Sequence, residues 1–196
     1  AKVDSSHGIS YMAMSHFLLS LGFLSNWIGM MEFNLMLENR YDKFLATVKE
    51  QNAGKDWYDI RKKMSAVPAL KKAILTFMAE DEYEETRKLI DERIKTYDAT
   101  KLKEDLRLYL EHYPEKKIVF FIDEMSEALS QKKINLLDLE GLSEALSSLG
   151  NRVWTVGIAQ QAFNDVLNAS GLNIHQLNKV EARFKTRIPI AAEEID

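Results

Sequence analysis

The residues best suited to chemistry in this 196-residue chain are two neighbouring acids, Asp123 and Glu124, which end the apolar run Ile118-Val119-Phe120-Phe121-Ile122. A β-branched and aromatic run of that length predicts a strand buried on both faces of a parallel sheet. Carboxylates at the mouth of such a sheet are costly unless paired, hydrated or metal-bound, and in open α/β sheets that mouth is where ligands sit. The pair is therefore suited to a divalent cation. The plainer alternative is a helix start, with Asp123 as N-cap and Glu124 in the first turn. Gln160 ends a second candidate strand, Arg152 to Ala159, which brings a polar amide beside the acids or else caps the next helix. Arg183 and Arg187 stand four apart and share a face if a helix runs through them; solvation is their ordinary role.

Other chemistries find little support. The chain has no cysteine, which excludes disulfides, thiolate metal sites and a cysteine nucleophile, and fits a reducing, cytoplasmic compartment. His7, His16, His112 and His175 share no metal-ligand spacing. Gly8-Ile9-Ser10 lacks the second glycine of a nucleophile elbow. Adjacent carboxylates also cannot flank one glycosidic bond from opposite faces. The formal net charge of -4 leaves no global basic excess for a polyanion. The short basic stretches Arg61-Lys62-Lys63, Lys71-Lys72 and Lys116-Lys117 read first as solvated surface, with DNA phosphate contact as the sharper alternative.

The elements that must position these groups follow from composition and spacing. With 46% hydrophobic and 29% charged residues, the chain is an ordinary globular domain or a piece of one, not a disordered segment. Eight glycines and three prolines are about half the usual share, so turns are scarce and helices long. Ser5 to Met31 carries no Asp, Glu, Lys or Arg. His16, Gly22, Ser25 and Asn26 interrupt it and no basic cluster flanks it, so it predicts a buried helix and not a membrane span. That helix is expected to begin at Ser5 or Ser6, with Ile9, Met12, Ala13, Phe17 and Leu21 on one face.

From Glu32 to Tyr113 the texture is charged amphipathic helix, punctuated at Gly54, with Pro68 in the first turn of a further helix. Glu84 with Lys88 and Asp91 with Lys95 have the favoured acid-first spacing. Leu102, Leu106 and Leu110 form one helix face, stopped near Tyr113-Pro114. After Pro114 come the strand to Asp123, a helix with Leu139, Leu142, Leu146 and Leu149 on one face, a stop at Gly150-Asn151, and the second strand. This order predicts a βαβ unit. A helix over about Asn173 to Ala182 and an extended piece from Thr186 to Ile190 are expected beyond it.

An apolar run closed by Asp-Glu resembles the Walker B element of P-loop ATPases. That resemblance implies ATP with Mg²⁺ as cofactors, Asp123 on the metal and Glu124 polarising the attacking water. It also implies that Gln160 senses the γ-phosphate and that Arg183 or Arg187 acts on it in cis or in trans. The order of pieces resembles the second half of the AAA+ and STAND core. More narrowly it is similar to the large ATPase of bacteriophage-exclusion (BREX) systems, the BrxC/PglY-like family. There the arginine segment reads hydrophobic-x-small-Arg-Phe-x-Thr-Arg-hydrophobic, as Val180 to Ile188 does here. The likeness covers about Ile118 to Asp196. It implies a role in phage defence beside other defence proteins, with DNA reached through the parent protein, no membrane, and a homo-oligomer if an arginine acts in trans.

The phosphate-cradling G-x-x-x-x-G-K-[ST] loop departs from this pattern, because Gly54-Lys55 is followed by Asp56 and no glycine stands five before Gly54. The chain opens at Ala1 without Met, so the loop is expected upstream and the isolated piece is expected to be inactive. The expected fold class is α/β: a helix-rich, partial three-layer P-loop NTPase sheet of the ASCE type. Residues 1–31 would supply a strand tail and buried helix, 32–113 a large helical insertion, and 114–196 the Walker B, sensor and arginine half. The alternative is a non-catalytic helical interaction or scaffold module with a relic ATPase strand.

Overall fold

A computed structural model describes residues 8–123 and 136–158. The chain divides between Pro114 and Glu115 into two compact units. It is helix-rich, with one small parallel sheet, in the α/β class.

The first unit is helical throughout its described residues: α1 (Ile9–Ser20), α2 (Trp27–Leu37), α3 (Tyr41–Gln51), the single turn α4 (Trp57–Ile60), α5 (Ala66–Ile74), α6 (Glu80–Lys95) and α7 (Ala99–His112). The uncharged run is two helices, not one. Gly22, at φ 82°, takes the left-handed position after α1, a conformation that costs glycine little. The N–H of Phe23 donates to the Leu18 carbonyl at 2.9 Å and that of Gly22 to Leu19 at 3.0 Å, a Schellman closure. Asn26 then starts α2 by accepting from the Ile28 N–H at 2.9 Å. Neither helix is long and apolar enough to cross a membrane, nor is any other among the described residues.

Gly8, not Ser5 or Ser6, stands at the N-cap of α1. The buried residues of α1 are Ile9, Ser10, Tyr11, Met14, Phe17 and Leu18, with Met12 and Ala13 only half-covered. The expected face is rotated because α1 packs against both α7 and α2. Helix α2 lies at the centre, against α1, α3, α6 and α7, which is why it is apolar on every side. The composition change at Glu32 falls inside α2, and Glu32 is itself buried. Pro68 sits in the first turn of α5, and Leu102, Leu106 and Leu110 are buried on α7 as their spacing requires. The expected ion pairs Glu84–Lys88 and Asp91–Lys95 are replaced. Lys71 of α5 takes Glu84 and Glu80, while Asp91 pairs with Arg87 and Glu92 with Lys88. A lysine from a neighbouring helix outcompetes the same-helix partner when packing already holds it nearby.

The second unit contains β1 (Ile118–Ile122), α8 (Leu136–Ser147), a 3-10 turn (Gly150–Arg152) and β2 (Val153–Gly157). The strands are parallel, with Ile118 opposite Val153 and Ile122 opposite Gly157. Helix α8 packs against β2, burying Leu139, Leu142 and Leu146. Leu149 lies beyond the helix end and is half-covered. The expectation that β1 is buried on both faces is wrong: Ile118 is covered, but Val119 and Phe121 are exposed, and so are Trp154 and Val156 beside them on β2. A run of apolar residues is compatible with an open face, because alternation is set by the pleat and coverage by what packs on it.

Candidate functional site

Asp123 follows Ile122 in a turn and is exposed. The strand behind it is anchored at both ends. At the amino end, the guanidinium of Arg152 donates through Nε and Nη2 to the Lys116 carbonyl at 3.2 and 3.0 Å. At the carboxyl end, the ladder extends one residue past β2, with the Ile158 N–H donating to the Ile122 carbonyl at 2.9 Å. Asp123 and the chain beyond Ile158 therefore leave the sheet at the same edge, where neighbouring strand ends can converge on one ligand.

Of the five residues singled out in the sequence, only Asp123 is among the described residues. Glu124, Gln160, Arg183 and Arg187 lie outside them, as do His7 and His175 and the expected elements at 173–182 and 186–190. No group of three or more His, Asp or Glu side chains able to hold a metal occurs among the described residues. What the described part of the site offers is one solvent-facing carboxylate at a strand end. Its oxygen chemistry suits Mg²⁺, which takes one or two carboxylates and keeps several waters.

Sequence reasoning missed the chemically densest place in the described chain, which lies in the helical unit. Glu32 has 0% of its side chain exposed and Arg61 only 10%. Glu32 Oε1 accepts from Trp57 Nε1 at 2.8 Å, from the Tyr41 hydroxyl at 2.9 Å and from Arg61 Nη1 at 3.1 Å. The second oxygen, Oε2, faces the Leu24 N–H at 3.4 Å. Burial, and then the Glu32 charge, push the Tyr41 phenol far above its ordinary value, so Tyr41 stays a donor. A carboxylate this fully bonded is a fastener joining α2, α3 and α4, not a free acid or base. Its signal in the sequence was a single acid inside an otherwise uncharged helix, Trp27 to Leu37.

A second buried carboxylate, Asp105, accepts from Arg93 Nη2 at 2.8 Å and from the Tyr97 hydroxyl at 2.5 Å. Burial raises its pKa, and the Tyr97 hydrogen bond and the Arg93 charge offset part of the rise. This network joins α6, the connection after it and α7. Both networks have protein partners on their polar atoms and neither opens toward Asp123 by any described contact. Comparison with protein-family models, with curated proteins and with solved structures finds no match.

Proposed function

We propose that the chain is part of an ATP-hydrolysing P-loop ATPase, with Asp123 serving Mg²⁺ and Glu124 orienting the attacking water. The observation that carries this reading is a parallel β1–α8–β2 unit with a solvent-facing Asp123 immediately after β1. Parallel pairing matters because it sends both strand ends to one edge, so groups after Ile122 and after Ile158 are available to one phosphate chain. Bound Mg²⁺ and ATP would supply phosphate-charge neutralisation. In this reading Gln160 contacts the γ-phosphate or the water, and Arg183 or Arg187 neutralises charge as it develops. The finer assignment, to a three-layer P-loop core of the BREX type acting with defence proteins and DNA, rests on the resemblance of the Asp-Glu and Arg-Phe-x-Thr-Arg segments alone.

The test is Mg·ATP binding and phosphate release by the intact protein that carries this sequence. Glu124→Gln is expected to retain nucleotide and to lower turnover by about 10²-fold or more. Unchanged turnover would remove the catalytic assignment. A wild-type protein that binds no ATP would leave the second reading, a helical interaction module. That reading is favoured by one observation: residues 8–114 form a compact unit with its own core, and its buried acids are consumed in internal bonds.

A further inference from the structure

Val119, Phe121, Trp154 and Val156 form one continuous apolar surface. Val119 is opposite Trp154 and Phe121 opposite Val156 in the parallel register, and all point away from the face that carries Ile118 and Val153. Phe121 is 69% exposed and the other three between 39% and 46%. Ile158, which continues the ladder through its N–H, adds a fifth exposed apolar side chain. Parallel sheets are covered on both faces, and two strands with one open face are not independently stable. A patch of this kind marks a surface that something else covers.

We propose that the cover is the chain's own segment 174–184, laid across the open face of β1 and β2. Three features favour this occupant over a partner. The chain continues for 38 residues beyond Ile158, starting at the patch itself, so the cover is tethered and its effective concentration is high. Within that length, Ile174, Leu177, Val180 and Phe184 recur at three- and four-residue intervals, a single apolar stripe on a helix. His175, Gln176, Lys179 and Arg183 occupy the remaining side. Size agrees as well: a five-residue strand spans about 17 Å, and an eleven-residue helix about the same. The cover does not depend on nucleotide chemistry. If the ATPase reading also holds, it ties the segment bearing Arg183 and Arg187 to the strand that ends at Asp123, so those arginines serve their own chain.

The absence of cysteine makes the test direct. Val119→Cys and, separately, Val156→Cys give the intact chain one thiol on the face. Leu19→Cys, at an exposed position of α1, gives a reference. With the fold checked by circular dichroism, the face thiols are expected to react with an aromatic disulfide reagent at least about tenfold more slowly than the reference, through local opening only. Adding Ile174→Asp and Leu177→Asp should bring them to the reference rate, and Val119→Cys with Leu177→Cys should form an intrachain disulfide on oxidation. Reaction at the reference rate in the otherwise unchanged chain overturns the proposal. So does protection that grows with protein concentration, which would make the cover a second copy, or protection indifferent to the two aspartates.

Discussion

Replacing Glu32 by Gln tests whether the helical unit is fastened by a buried charge. Gln keeps the shape and one acceptor oxygen, which can still serve Trp57 Nε1 and the Tyr41 hydroxyl. It removes the charge that faces Arg61, however, and Arg61 is only 10% exposed, with its Nε already buried and unpartnered. Its new amide N–H also meets the Leu24 N–H, donor against donor. Breaking a buried pair by removing one partner costs about 3–5 kcal/mol. The retained neutral bonds bring the expected loss to about 3 kcal/mol. For a unit of this size, with a urea slope of about 1–3 kcal/mol/M, the midpoint should fall by about 1–3 M. Trp57 is buried against Phe44 at 5.1 Å and bonded to Glu32, so tryptophan fluorescence reports the transition. Arg61→Met in the Glu32→Gln background should recover part of the loss, because it removes the stranded charge. A midpoint lowered by less than about 0.3 M, a loss well under 1 kcal/mol on that slope, would refute the view that Glu32 is a charged fastener.

Two further outcomes follow from the same unit. A Cβ on Gly29 would stand 1.6 Å from the Leu24 carbonyl oxygen, so Gly29→Ala must displace the 21–26 connection. It is expected to destabilise by about 3 kcal/mol or more in chemical denaturation; a change within error would mean that the connection shifts freely. Asp105 has its folded pKa raised above its unfolded value by burial, so the folded state holds the proton more tightly. Its contribution to stability is greatest below the unfolded value of about 3.9 and declines as pH rises through the folded value. Urea melts between mildly acidic and neutral pH should show that decline in wild type and not in Asp105→Asn; equal slopes would count against the shift.

Much of the helical unit was legible because its signals are local. The Leu102, Leu106 and Leu110 spacing, Pro68 in a first turn, and the charge-free stretch too interrupted to span a bilayer each depend on residues within a few positions. The same holds for β1 and β2, whose β-branched and aromatic runs pointed to strands, and for the helix between them, which made parallel pairing the expected outcome. The division of the uncharged run into α1 and α2 was less visible. It rests on a left-handed Gly22 and an Asn26 cap that look like minor interruptions in the sequence.

Only the tertiary structure decided which groups are consumed internally. Glu32 looked like the first residue of a solvated block, yet three donors from residues 9, 25 and 29 positions away converge on one of its oxygens. Lys71 takes Glu84 across a helix pair, so same-helix spacing did not predict the bond. The open face of β1 was equally out of reach, because an apolar run specifies what a strand prefers to touch and not how many layers arrive to touch it. Local periodicity is written into neighbouring residues. Burial and charge pairing depend on contacts between residues far apart in the chain, and a single sequence carries no record of those distances.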